Sequence, residues 1–184
     1  MQNIHTVRWL TLGLVLFTAV GTTGCQSLLI NKSPPKAEVI VSNHTAADVL
    51  IQQAGPNLAH NSTLLVASFV NVDDLTLSST FGRLAAEQVA GQFTACGYQI
   101  VEAALRNSLY IRERQGQFLL SRELRELSSD FNAPTVIVGT YAVGRERIYV
   151  NARLVRAADN VVVAAYNYEL PIDRDVSQML RDNR

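Results

Sequence analysis

The 184-residue chain has little of what would announce a chemistry. Two cysteines are too few for a disulfide scaffold, and three histidines are too few for an obvious histidine-rich metal site. Neither charge sign is in excess. Sixteen Lys and Arg balance sixteen Asp and Glu, so no electrostatic grip on nucleic acid is advertised. There is no internal repeat, charge run or low-complexity tract of appreciable length. A Gly-x-Ser-x-Gly nucleophile elbow is missing, and Ser78, Ser79 and Thr80 lack the Gly-rich run and Lys of a phosphate cradle. No apolar run reaches the ~20 residues that cross a bilayer as a helix. What is left is 48% apolar and 17% charged, the composition of one ordinary folded domain.

The N-terminus carries a processing signal. Arg8 is followed by an uncharged apolar stretch through Trp9, Leu10, Leu12, Leu14, Val15, Leu16, Phe17 and Val20. At about a dozen residues it has the length of a signal-peptide core. It closes on Thr22-Thr23-Gly24-Cys25 and resembles the bacterial lipoprotein signal, in which the cysteine is acylated and becomes the new N-terminus. An uncleaved anchor and an ordinary secretory signal compete, but a cysteine directly after Gly24 favours the lipoprotein. Residues 1–24 are then the signal peptide, and Cys25 is the lipidation site. Three acyl chains, at ~0.8 kcal/mol per buried methylene, exceed what stable anchoring needs. Gln26 is not the Asp that retains such proteins in the inner membrane. The resemblance therefore implies the outer membrane, on its periplasmic or surface side. Residues 25–41 read as a lipidated N-terminus and tether, extended around Pro34 and Pro35.

Helical and strand periods alternate over residues 42–172. A helix over Asn43–Ala54, capped by Asn43 or Thr45, carries Ala46, Val49 and Leu50 and stops at Gly55-Pro56. Thr63–Val70 is a nearly continuous apolar run, as in a strand covered on both faces. A helix over Ser79–Ala95 places Phe81, Leu84, Ala85, Val89, Phe93 and Cys96 on one stripe, which makes Cys96 a buried thiol. A strand over Tyr98–Ala103 follows. Residues 104–118 fit either a short helix or an edge strand. A third helix over Ser121–Phe131 buries Leu120, Leu124, Leu127 and Phe131. Strands over 135–143, 147–155 and 161–170 are joined by hairpin-length connections. The pattern predicts an α+β fold in two or three layers: a mixed sheet packed with about three helices, ending in an antiparallel three-stranded meander. Residues 173–184 are a polar C-terminal tail holding a frayed short helix around Val176, Met179 and Leu180.

The lipoprotein signal, Leu65-Val66-Ala67-Ser68-Phe69, Phe81-Gly82-Arg83-Leu84, Val138-Gly139-Thr140-Tyr141 and Val150-Asn151-Ala152-Arg153-Leu154 occur in order. Together they resemble the FlgO family of flagellum-associated outer-membrane lipoproteins, over roughly residues 42–170. Related periplasmic modules, the CsgG-like and TolB N-terminal-like domains, share the Gly-Thr-Tyr strand and the hairpin after it. The resemblance implies a non-enzymatic accessory protein of the flagellum, serving assembly, stability or motility with other flagellar or envelope lipoproteins. The second reading is a periplasmic binding or assembly module for a secretion or glycan system. Self-association is compatible with both. Outer-membrane hairpins of the CsgG kind are not expected, because the apolar faces of the last strands are needed to close the core.

No catalytic, cofactor-binding or metal-binding residues are assigned. Asp73 and Asp74 follow a buried strand, but a solvated loop that caps the next helix explains them better than a cation site. Gly139 either permits close approach of a helix or marks a bulge, and Tyr141 packs with its hydroxyl at the rim. Tyr149, Asn151 and Arg153 share one face of their strand, where they either pair with neighbouring strands or form a polar-aromatic partner-contact patch. Labelling with a lipid precursor should mark the wild-type chain and not Cys25→Ala, which should leave the membrane fraction. A Cys25→Ala chain that is cleaved normally and stays membrane-bound contradicts lipidation.

Overall fold

A computed structural model describes residues 36–102, 110–112, 118–120 and 122–181, so Cys25 and most of the tether lie outside the described residues. Helix α1 (Val39–Ala54) starts four residues before Asn43, inside the stretch read as tether. Asn43 is consequently not a cap but a fully buried residue of the helix interior. Thr45 does not cap either, since its hydroxyl donates back to the Val41 carbonyl. Chain entry is held from outside the helix, by the Ala37 amide donating to the Asp173 carboxylate at 2.9 Å.

The apolar run after α1 is not one strand. It forms β1 (Thr63–Val66), leaves the strand path over Ala67–Phe69, and resumes as β2 (Val70–Asn71). Helix α2 (Thr80–Ala95) is capped by Ser79, whose side-chain oxygen accepts the Gly82 amide at 3.3 Å. It buries Phe81, Ala85, Ala86, Val89, Ala90 and Phe93. Cys96 falls just past the last turn and is exposed, which corrects the expectation of a buried thiol. Tyr98 closes the stripe instead, its ring edge-on to Phe93 at 5.6 Å.

Strand β3 (Gln99–Glu102) follows. Part of the ambiguous segment forms an antiparallel pair, β4 (Tyr110–Arg112) with β5 (Phe118–Leu120), so Leu120 belongs to a strand and not to the next helix. In α3 (Arg122–Asp130) Leu124 is buried and Leu127 partly so. Phe131 lies one residue beyond the helix and is 51% exposed, against expectation. The meander is β6 (Thr135–Val143), β7 (Arg147–Arg156) and β8 (Val162–Pro171). Residues read as a frayed tail form α4 (Arg174–Arg181), which buries Val176 completely and packs Met179 and Leu180 against the core.

The main sheet runs β3-β1-β6-β7-β8, with β2 continuing beside β6. The first three strands of that order are parallel and the last three antiparallel. This is the predicted mixed sheet ending in a meander. Apolar residues of α1, α2 and α4 cover one face of it, packing on Leu64, Ile137, Ile148, Val150, Leu154 and Leu170. On the other face α3 contributes Leu124 over Leu65, Val136, Val138 and Val155. The domain is therefore three layers deep at β1 and β6. It thins to two layers along most of β7 and β8, where alternate residues face away from the helices.

Three of the sequence segments meet where the chain leaves β1. Phe69 is fully buried, and a Cβ built on Gly139 would lie 2.5 Å from its ring carbons. A Cβ on Gly82 would strike the Phe69 carbonyl and come within 2.9 Å of the Tyr141 ring. Hydrogen bonds fix the same point. The Phe69 amide donates to the Gly82 carbonyl at 3.2 Å, and the Ser78 hydroxyl donates to the Phe69 carbonyl at 2.8 Å. The Ser79 amide donates to the Tyr141 hydroxyl at 3.1 Å. Tyr141 is thus buried with a satisfied oxygen and does not sit at a rim. Its ring stands edge-on to Phe81 at 5.6 Å. What approaches Gly139 is a ring, not a helix.

Removing the Phe69 ring should cost about 3–5 kcal/mol. Gly139→Ala should cost about 1–3 kcal/mol by overpacking, and most of that should vanish in a Phe69→Ala background. Gly82→Ala should keep its cost in the same background, because its added methyl meets a backbone carbonyl. Urea denaturation of the two double-mutant cycles measures both.

Candidate functional site

In an open α/β sheet the usual ligand crevice lies beyond the carboxyl ends of the strands, where the chain turns to opposite sides of the sheet. Here that point lies between β1 and β6, because α2 leads from β1 to β3 on one side and β6 lies on the other. The Phe69 ring and β2 fill it: Val70 and Asn71 register with Thr140 and Tyr141 of β6. A crevice of about 160 Å³ remains at the ends of β1 and β3, lined in part by Ser68, Arg83, Glu87 and Glu102. Its one guanidinium already donates to the Ser78 carbonyl at 3.1 Å and the Thr80 hydroxyl at 2.9 Å.

The acidic loop is organised by its own bonds. Asp74 accepts the Thr76 hydroxyl at 2.6 Å and the Thr76 amide at 3.0 Å, which hold its carboxyl below the usual carboxylate range. The Asp73 amide donates to the Asn71 side chain at 2.9 Å. Capping of α2 falls to Ser79 rather than to either Asp. Among the described residues no group of three or more His, Cys, Asp or Glu side chains could hold a metal ion.

The buried polar group that sequence reasoning missed is Asn43. Its amide donates to Gln88 at 2.7 Å, and its oxygen accepts the Tyr168 hydroxyl, so one side chain joins α1, α2 and β8. Burial, with Tyr166 alongside, pushes the Tyr168 hydroxyl well above its ordinary value. Nothing in the period of the helix distinguishes such a buried Asn from an exposed one. Asp173 was likewise missed, because Asp in a polar tail is unremarkable. It accepts the Val176 amide at 2.9 Å as the cap of α4, besides the Ala37 amide. These bonds, with Lys36 nearby, hold its carboxyl below the usual range.

Tyr149, Asn151 and Arg153 lie together on the two-layer part of the sheet, on the face turned away from α1 and α2. Tyr149 is 49% exposed, while Asn151 and Arg153 are half-buried. Tyr149 stands between Ala142 and Glu169, Asn151 between Thr140 and Asn167, and Arg153 between Val138 and Ala165. The Asn151 amide donates to the Thr140 hydroxyl at 3.3 Å. Arg153 has no ion pair among the described residues, whereas Arg147 at the rim holds Glu169 at 2.8 Å. Within the trio, Asn151 is tied to the neighbouring strand and Tyr149 is open to solvent. Asn167 and Glu169 extend the face, and the alternation of β8 could have shown them.

The model of the FlgO protein family matches residues 44–175. The chain belongs to the FlgO family. The FlgO match takes in all three segments that meet at Phe69, together with the open face. By fold, the chain is similar to the C-terminal domain of LpoB from Salmonella enterica, with a TM-score of 0.54 at 12% identity, covering 72% of this chain and 97% of that one. The same domain from Escherichia coli gives 0.47 at 14% identity over 72% and 98%. The PelC dodecamer from Paraburkholderia phytofirmans gives 0.44 at 16% identity over 62% and 75%. No curated protein sequence matches the chain.

Asp173 generates a pH prediction. Its lowered value means that its contribution is full above the unfolded value of about 3.9 and is lost as pH falls through the lower folded value. Asp173→Ala should cost about 1 kcal/mol at pH 7, the worth of a helix cap. The gap to wild type should close below pH 3.9 in chemical denaturation.

Proposed function

We propose that the protein is a lipid-anchored outer-membrane accessory protein of the flagellum that acts by protein-protein contact through the open face of β7 and β8. The observation that carries this reading is the polar-aromatic surface of Tyr149, Asn151, Arg153, Asn167 and Glu169, on strands held rigid from the opposite face by α1 and the main core. Tyr and Arg are favoured at interface centres, and rigid strands present them with little ordering cost. Membership of the FlgO family supports an envelope lipoprotein and favours the flagellum as the structure it serves. The N-terminal signal ending at Cys25 supports the outer membrane as the site of attachment. A non-enzymatic role is supported by the Phe69 plug at the crevice where a sheet of this kind usually takes its substrate.

The alternative, an assembly module for a secretion or glycan system, rests on the same face with a different partner. The two readings separate in vivo. For the flagellar reading, Tyr149→Ser with Arg153→Ser should reduce swimming and partner cross-linking in the intact envelope, with growth unchanged. Both side chains are partly buried, so the double variant should lose about 1 kcal/mol, read by urea denaturation, and still fold. Unimpaired motility in the double variant and in a deletion strain would overturn the flagellar reading.

A further inference from the structure

The sheet ends at β8, which among the described residues pairs with β7 alone. The direction of its outer backbone groups follows from one bond. The Ala165 amide donates to the Gln53 side-chain oxygen of α1 at 3.1 Å, so it points away from β7. Along an antiparallel strand this direction alternates. The amides of Asn167 and Glu169 therefore point outward as well, and among the described residues no side chain receives them.

Edge strands are normally blunted by Lys, Pro or a bulge. Between Val162 and Leu170 there is no Lys, Arg or Pro. The single charge there, Glu169, is tied back to Arg147. The one irregularity lies at the far end, opposite Leu154 and Val155, and the first proline is Pro171. Gln53 fills one slot of the edge and leaves the stretch around Asn167 open. On the helix-facing side, Tyr166 and Tyr168 stack with centroids 6.0 Å apart and are only partly buried.

We propose that β8 pairs antiparallel with β8 of a second copy of this chain, about a two-fold axis at Asn167. The strand is complementary to itself in that register. Asn167 meets its own counterpart as a hydrogen-bonded pair through the outward amides. Ala165 meets the second copy's Glu169, whose carbonyl takes over the slot held by Gln53. Tyr166 meets the second copy's Tyr168, and this pair occurs twice, giving the aromatic cross-strand contacts that sheets favour. The two Glu169 side chains are offset by four residues, about 13 Å along the strands. That exceeds the screening length of ~8 Å, so no like-charge repulsion opposes pairing. A two-fold axis normal to the sheet keeps both open faces on the same side, joining the two Tyr149-Asn151-Arg153 surfaces into one.

The test uses the full-length chain in intact cells, carrying Cys96→Ser and Asn167→Cys, treated with a short bis-maleimide cross-linker. The Cβ atoms of a hydrogen-bonded antiparallel pair stand ~5.5 Å apart, wider than the ~3.5–4.5 Å a direct disulfide needs but well within reach of a short bis-maleimide. The expected result is a shift to twice the monomer mass on a non-reducing gel. Cys96→Ser alone and Cys96→Ser with Glu102→Cys on the opposite edge should stay monomeric. A monomer at position 167, with its thiol open to maleimide and its melting unchanged, overturns the proposal. A cross-linked adduct of another mass also overturns it and assigns the edge to a different partner strand.

Discussion

The rest of the structure depends on the contact of the Phe69 ring with the bare backbone of Gly139, because it decides where the chain goes after β1. A continuous strand through Phe69 would have kept β1 and β6 side by side to their carboxyl ends. Instead the chain steps out over Ala67–Phe69, drops a ring onto β6 where a side chain is missing, and rejoins the sheet as β2. The step brings the Phe69 backbone against Gly82, which must also lack a side chain, and this sets the height of α2 above the sheet. Tyr141 and Ser79 then lock helix and strand together through a buried hydrogen bond. Each of these groups restricts the others, so a change at one is felt at all of them.

That lock has a functional consequence. A sheet with this topology offers a ligand crevice at its switch point, and this chain spends the space on packing. The segments that carry the family resemblance, around Phe69, Gly82 and Gly139, are explained by the lock and need no catalytic role. Attention moves to the other half of the sheet, where the third layer ends. Thr140, Asn151 and Asn167 line up across three strands there, with Tyr149 and Arg153 on either side of the row. The same thinning leaves β8 as a long outer edge with few of the usual protections.

Much of the architecture was legible in the residues. The strict alternation of Ile148, Val150, Ala152 and Leu154 gave β7 with its faces, because a period of two admits no other reading on a half-covered strand. The stripe Phe81, Ala85, Val89 and Phe93 gave α2. Local pattern failed wherever a distant group decided the outcome. Asn43 looked like a cap because Asn favours caps, yet Tyr168, 125 residues away, gives it a partner that makes burial tolerable. The tail looked frayed because its polar residues outnumber its apolar ones. Asp173, bonded to Ala37 from the far end of the domain, starts the helix there. Cys96 followed the stripe on paper, but the helix ended one residue too soon to bury it.

The sequence by itself determined most of the elements, the mixed character of the sheet and the resemblance to the FlgO family. All of these rest on short-range patterns of apolar and small residues. Only the tertiary structure decided that Phe69 occupies the switch point, that Asn43 and Asp173 are long-range ties, and that Tyr149, Asn151 and Arg153 stand on an uncovered face. The reason is physical. A side chain's period shows which face of its element it occupies, but whether anything covers that face depends on elements far away in the chain.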